Sequence, residues 1–133
     1  MKKLILMLAM MFIVSSLFAG GYCKQDQKIG TTDTSDVYVN AVSIANSNYE
    51  YLGILIYNTG SSSNDISWRV KGYVYASSDS FYVIAAATDL SDDEYIFLEE
   101  MPCIFTKIEI DMKTTTADLV STYQIDWTIK NSY

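Results

Sequence analysis

Residues 65–75 alternate apolar side chains with polar or tyrosine side chains, and this pattern restricts the chain to a β fold. One parity carries Ile66, Trp68, Val70 and Val74, and the other carries Ser67, Arg69, Lys71, Tyr73 and Tyr75. Because successive side chains of a strand point to opposite faces, the stretch predicts a strand with one buried and one solvated face. Residues 104–112 and 123–129 alternate in the same way. Three such strands around one core predict antiparallel sheets with a solvated exterior.

Further β-branched and aromatic runs lie between short polar turns. In chain order, the predicted strands are residues 37–45, 49–57, 65–75, 81–87, 95–98, 104–112 and 122–130. We expect the first two to form a hairpin, with a β-bulge near Asn40 where the apolar parity shifts. The run at 81–87 is apolar on both parities, which favours a central, doubly covered strand. About seven short strands without an amphipathic helix predict an all-β fold: a two-sheet antiparallel β-sandwich of immunoglobulin-like or jelly-roll size.

The first 21 residues predict a secretory signal peptide. Lys2 and Lys3 form a basic start, residues 4–14 are continuously apolar, and residues 19–21 are small enough for cleavage after Gly21 or Ala19. The alternative is a retained membrane anchor, because residues 4–21 are at the short end of the ~20 residues that span a bilayer. Lipidation is not favoured, since Tyr22 precedes the first cysteine.

The remaining chain divides into two parts. Residues 22–36 are polar and have no apolar period, so they predict an N-terminal arm, either solvated or paired with a neighbouring subunit. Residues 37–133 are the expected β-sandwich domain. The protein is therefore expected to be secreted and to act outside the cell or at its surface.

The charge of the chain excludes one class of partner. The formal net charge is −7, and removal of residues 1–21 takes away two of the nine basic residues and none of the sixteen acidic ones, which leaves −9. A surface this acidic repels phosphate backbones, so we expect no nucleic-acid partner. It also disfavours anionic membranes, and no membrane partner is expected after signal cleavage.

Histidine is absent, and only two cysteines are present. The absence of histidine excludes Ser-His-Asp triads and His-ligated metal sites. Export makes a disulfide between Cys23 and Cys103 the favoured state, with free thiols or an intermolecular link as alternatives. By the chain-entropy model, closing this loop of about 80 residues would contribute roughly 4 kcal/mol of stability.

The acidic side chains give weak indications of chemistry. Asp89, Asp92, Asp93 and Glu94 form a weak calcium candidate, but they lack the alternating spacing of an EF-hand. The pairs Glu99 with Glu100 and Glu109 with Asp111 do not suggest the opposed carboxylates of a glycosidase. We therefore expect a protein that is not an enzyme and that holds no cofactor or metal.

Tyrosine is the unusual component, with 11 residues. We interpret the face that carries Tyr49, Tyr51, Tyr57, Tyr73 and Tyr75, together with Arg69 and Lys71, as an interface or ligand face. Tyrosine suits binding surfaces because it has a broad apolar ring with a polar tip, although it is also an ordinary strand former. Contact between this face and the acidic residues 89–94 of another copy would be head-to-tail and open-ended.

Two functions remain open. The first is a secreted, non-catalytic structural or assembly subunit of a surface layer, extracellular filament or virion-like particle. Its partner would be another copy or another extracellular protein. The alternative is an extracellular β-sandwich module that binds carbohydrate or another ligand.

Overall fold

A computed structural model of the protein describes residues 23–45, 51–60, 64–75, 77–99 and 104–130, and these residues form eight strands and no helix. The strands are β1 (Cys23–Thr31), β2 (Val39–Ala45), β3 (Tyr51–Asn58), β4 (Ile66–Tyr73), β5 (Tyr82–Leu90), β6 (Tyr95–Leu98), β7 (Lys107–Thr114) and β8 (Thr122–Lys130). No described helix therefore reaches the length and hydropathy that a membrane crossing requires.

The strands build two four-stranded sheets. Sheet A has the order β1-β8-β3-β6 and sheet B the order β2-β7-β4-β5, with every pairing antiparallel. This order is that of a jelly roll, a double sheet of eight strands. β1 contacts β2 on one side of the sandwich, and a short turn joins β5 to β6 on the other. The predicted all-β, two-sheet antiparallel sandwich is confirmed.

The core lies between the two sheets and is made of alternate residues from both. Sheet A contributes Leu52, Ile54, Ile56, Tyr123, Ile125 and Ile129, and sheet B contributes Val42, Ile44, Ile66, Trp68, Val70, Ile108, Ile110 and Met112. These side chains are β-branched or long and apolar, so they fit the pleated inner faces at native density. The burial of these alternate apolar side chains thus holds the two sheets together.

Several local predictions are confirmed. β8 spans Thr122–Lys130, as the alternation of residues 122–130 indicates. The register of β2 against β7 shifts between Asn40 and Val42, which places the bulge where the apolar parity changes. The alternation of β8 and the bulge in β2 could both be predicted because one face of each strand is buried.

The strand pairing differs from the sequence prediction in three places. β2 and β3 are not a hairpin, because β2 pairs with β7 in sheet B and β3 pairs with β8 and β6 in sheet A. The polar residues at 24–31 form strand β1, which completes sheet A beside β8. β5 lies at an edge of sheet B, with Tyr82 and Val83 exposed, and is not a central strand. Several of its apolar side chains are therefore exposed at the edge of the sheet.

The strand predicted at 104–112 begins three residues later, at Lys107. The expected alternation is reversed before it: Ile104 is exposed and Phe105 is buried. The ring of Phe105 lies directly over Gly72, where an added Cβ would come within 2.6 Å of the ring carbons. The missing side chain at residue 72 is what lets this ring close the end of the core.

A buried asparagine ties the strand ends together at the other end of the sandwich. Asn58 is fully buried, and its Nδ2 donates to the carbonyl oxygens of Asn64 (3.1 Å) and Leu90 (2.9 Å). Its Oδ1 accepts from the Gly60 amide at 3.0 Å. Its backbone N–H donates to Glu94, and its carbonyl accepts from Asp93. One residue thus joins the end of β3, the approach to β4 and the turn between β5 and β6.

Candidate functional site: the outer faces of the two sheets

The outer face of sheet A carries an aromatic strip, defined as Tyr51, Leu55, Tyr57, Tyr95 and Phe97. The first three alternate with buried core residues of β3, so they point away from the core. β6 adds its two rings directly opposite them, because Tyr95 pairs with Tyr57 and Phe97 with Leu55. Tyr95 is 68% exposed and Phe97 48% exposed, so the strip is open to solvent at the β6 edge.

The strip is positioned by its neighbours. The Tyr51 ring lies across Gly53, where an added Cβ would be 2.9 Å from the tyrosine oxygen. The Tyr57 hydroxyl donates to Asp93 Oδ1 at 3.2 Å. That hydrogen bond, with the charge of Asp93, raises the pKa of Tyr57. Tyr57 therefore stays a neutral, hydrogen-bonded ring at physiological pH.

The outer face of sheet B carries a charged ladder, defined as Lys107, Glu109, Lys71, Asp111 and Arg69. Lys71 Nζ lies 2.9 Å from both Glu109 and Asp111. Arg69 pairs with Asp111 at 2.8 Å, and Lys107 pairs with Glu109 at 3.0 Å. Because β4 and β7 are adjacent, the ladder alternates in charge across the two strands.

Aromatic rings cover the ladder. Lys107 Nζ lies 3.9 Å from the centroid of the Tyr73 ring, and Arg69 lies 4.3 Å from that of Tyr38. The Phe81 ring centroid is 4.9 Å from Lys71 Nζ. These are cation–π distances, and the rings exclude water from the charges. Lys71 and Asp111 are consequently buried, and the face predicted to be solvated is closed.

The ladder shifts the ionisation of its members. Burial opposes the charge on Lys71, but hydrogen bonds to Asp111 and Glu109 outweigh it and raise the pKa above its usual range. Burial likewise opposes the charge on Glu109, but hydrogen bonds from Tyr73, Lys71 and Lys107 lower its pKa to about 2. The Tyr73 hydroxyl donates to Glu109 at 2.6 Å. Both groups are therefore charged at neutral pH.

Glu109→Gln is expected to flatten the acid dependence of stability. The folded pKa of about 2 lies below the ordinary value of 4.5, so the stabilisation by the Glu109 charge is complete above pH 4.5 and is lost as pH falls towards 2. In the parent this group contributes roughly 3 kcal/mol over that window. The measurement is the free energy of unfolding in urea at pH 5, 4, 3 and 2.

The matched control for this experiment is Glu99→Gln, which removes an exposed carboxyl outside the ladder. The parent and the control should lose stability in parallel as the pH falls. A Glu109→Gln curve that runs parallel to theirs would mean that the ladder does not hold this carboxylate.

The structure separates the residues predicted as one interface face. Tyr51 and Tyr57 lie on the outer face of sheet A, whereas Arg69, Lys71 and Tyr73 lie on the outer face of sheet B. Tyr75 lies beyond β4 and is exposed. The single tyrosine face was therefore a wrong prediction, because it depended on β3 and β4 being neighbours. The two cations are also committed to Asp111 and Glu109 and do not form a free basic patch.

Several predictions fall wholly or partly outside the described residues. Tyr49 and Cys103 lie outside them, as do the predicted signal peptide, residues 1–21, and Glu100. The disulfide with Cys23 stays a prediction. Among the described acidic, cysteine and histidine side chains, no group of three is arranged to hold a metal ion. The four acidic residues of the calcium candidate lie at the end of β5 and in the turn to β6, where Asp89 and Asp93 have left-handed backbone angles.

That turn borders a cleft between the β5 and β6 edges, with a volume of about 460 Å³. Buried Trp68 and Leu90 contribute apolar surface to it, and Asp93, Glu94 and Tyr95 contribute carboxylates and a ring. The cleft thus combines an aromatic surface with hydrogen-bond acceptors.

Sequence reasoning missed several residues that matter at these faces. Tyr95 and Phe97 complete the strip, but their partners lie 38 and 42 positions away along the chain. Tyr38 and Phe81 cover the ladder from the segments preceding β2 and β5. Cross-strand partners of this kind follow from strand order, and a single sequence carries no local signal for it.

No family model and no curated protein matches the sequence. Solved structures do match the fold. One is from Bacillus endospore appendages, a family of disulfide-linked pili, with 8% identity, a TM-score of 0.52 and coverage of 84% of this chain and 89% of that one. Another is the Yersinia pseudotuberculosis-derived mitogen, with 10% identity, a TM-score of 0.50 and coverage of 84% and 88%. At these identities the likeness shows a shared fold.

Proposed function

We propose that the protein is a secreted, non-catalytic structural subunit that assembles with other copies of itself through the aromatic strip of sheet A. The observation that carries this proposal is the exposure of Tyr95 and Phe97 beside Leu55 and Tyr57 on a regular, open sheet face. Aromatic residues of this kind act as anchors at protein interfaces, where a few of them supply most of the binding energy.

The fold is compatible with this function but does not select it. The same fold occurs in Bacillus endospore appendages, which form pili, and in a Yersinia mitogen. The function therefore depends on the exposed side chains. The outer face of sheet B is closed by its own ion pairs and rings, whereas the strip on sheet A leaves its rings open to a partner.

Tyr95→Ser combined with Phe97→Ser is expected to abolish self-association while leaving the fold intact. Loss of two aromatic anchors should raise the midpoint concentration of assembly by about 100-fold. Both side chains are exposed, so the thermal midpoint should change little. The measurement is size-exclusion chromatography with light scattering over a concentration series.

The matched control is Tyr75→Ser combined with Ile104→Ser, which removes two apolar side chains outside the strip that are at least as exposed as Tyr95 and Phe97. It should assemble like the parent. A parent that remains monomeric at every concentration would rule out the proposed function. Equal loss of assembly in both double variants would rule out the strip as its interface.

The cleft beside Tyr95 favours a second candidate function, the binding of carbohydrate. Sugars stack on aromatic rings and donate their hydroxyl groups to carboxylates, and the cleft places Tyr95 near Asp93 and Glu94. A protein with this function would be retained as a monomer on polysaccharide resin. Release from the resin by Tyr95→Ser, with no self-association in the parent, would favour this candidate over assembly.

A further inference from the structure

We propose that successive copies join through opposite edges of sheet A, with β1 of one copy alongside β6 of the next. This inference rests on the proposed self-assembly and adds which two surfaces meet and in which direction. Within the described residues, β1 and β6 each pair on one side only, with β8 and with β3 respectively. Each strand therefore presents a row of backbone N–H and C=O groups that another chain can pair with.

The direction of the strands allows this junction by repetition alone. Sheet A has four strands and every neighbouring pair is antiparallel, so β1 and β6 run in opposite directions. A second copy shifted along the sheet places its β1 antiparallel to β6 of the first. The antiparallel alternation then continues without interruption from one copy into the next.

The cations that make no close ion pair favour the β1 edge as the partner of the β6 edge. Arg69, Lys71, Lys107 and Lys113 are all engaged in ion pairs of 3.0 Å or less on sheet B. Lys24 and Lys28 are exposed on β1, and Lys24 has only a loose contact of 3.8 Å with Asp26. The spare cations of the described strands are thus concentrated at the β1 side of sheet A, where Lys130 of β8 also lies.

Carboxylates mark the opposite edge. Glu94 and Glu99 are exposed and flank β6 at its two ends. The cations on one edge are therefore opposite in sign to the carboxylates on the other, which favours this pairing over edges of like charge.

An apolar contact supports the same pairing of edges. Ile29 is 64% exposed and belongs to a cross-strand row with Gln124, Tyr57 and Tyr95 on the outer face of sheet A. The β1 edge of a second copy brings its Ile29 to the same outer face, next to Tyr95 and Phe97. The junction thus extends the aromatic strip and removes its exposed end from water.

Such an interface joins two unlike surfaces, so it does not close into a dimer and can propagate. Each copy would add four strands, or about 19 Å, along the direction of the sheet.

Charge reversal on each edge tests the pairing. Lys24→Glu with Lys28→Glu makes the β1 edge acidic, and Glu94→Lys with Glu99→Lys makes the β6 edge basic. We expect each double variant alone to assemble at least 100-fold more weakly than the parent, because like charges then face each other. An equimolar mixture should regain assembly, because the two kinds of copy alternate with opposite charges at every junction.

Light scattering of the purified proteins reads out each case, with circular dichroism to establish that both variants are folded. Asp79→Lys, a charge reversal at an exposed turn outside both edges, should assemble like the parent. A parent that assembles while both double variants assemble equally well would overturn the edge pairing but not the proposed function. Two monomeric variants that stay monomeric when mixed would also overturn it. A parent that never assembles would overturn both proposals.

Discussion

Lys71→Glu is expected to leave the protein unfolded or barely folded at neutral pH. The substitution places a third carboxylate against Asp111 and Glu109 on a face from which water is largely excluded. Removal of one partner of a buried ion pair already costs about 3–5 kcal/mol. A domain of this size has about 5–15 kcal/mol of stability in total, so the added repulsion brings the loss close to that total. The free energy of unfolding in urea at pH 7 measures the effect.

Lys28→Glu is the matched control, because it makes the same change on an exposed strand. It should alter stability by less than about 0.5 kcal/mol. Lys71→Met, which keeps the apolar stem, should fall between the two variants. If Lys71→Glu were as stable as Lys28→Glu, the charged ladder would not be part of the folded structure.

The second large effect is expected from Asn58→Ala. The substitution leaves the carbonyl oxygen of Leu90 and the amide of Gly60 without their side-chain partner, and it leaves the carbonyl oxygen of Asn64 with the Ser121 hydroxyl alone. Each buried polar group left unpaired costs about 1–3 kcal/mol, so we expect a loss of roughly 3–5 kcal/mol. Thermal and urea unfolding of the variant measure this loss.

Asn58→Asp separates the hydrogen bonds from the packing. It is nearly isosteric and keeps the acceptor for Gly60. It replaces the Nδ2 donor, which faces two carbonyl oxygens, with a charged oxygen. It should be at least as destabilising as Asn58→Ala. Asn40→Ala, at an exposed strand position, should cost less than about 1 kcal/mol. An Asn58→Asp variant as stable as the parent would contradict the hydrogen bonds described for this corner.

Much of the fold was predictable from local alternation. The core positions of β8 and the bulge in β2 follow from apolar parity, because a one-residue error in either would turn the core face outwards. β1 was not predictable in this way. Its residues carry charges on one parity and amides on the other, and it becomes a strand because β8 offers it a full antiparallel edge.

The ladder explains why the polar face of β4 was misjudged. Lys71 is an ordinary exposed strand residue by its sequence neighbours alone. It is buried because Glu109 and Asp111, about 40 positions later, lie on the adjacent strand of the same sheet. The prediction that Arg69 and Lys71 contribute to a face that contacts the acidic residues of a second copy is wrong for the same reason. The β3 part of the aromatic strip was predictable from the sequence, because Tyr51 and Tyr57 share a parity. The β6 part was not predictable, because it depends on the strand order.

Electron microscopy of the purified protein at high concentration tests the central claim most directly. We expect linear polymers one or a few molecules wide, with an axial repeat of about 19 Å where copies follow one another along sheet A. Raising the salt concentration past ~0.15 M, where the screening length is about 8 Å, should shorten them. Particles that remain single, or that close into discrete dimers, would contradict assembly through unlike edges of one sheet.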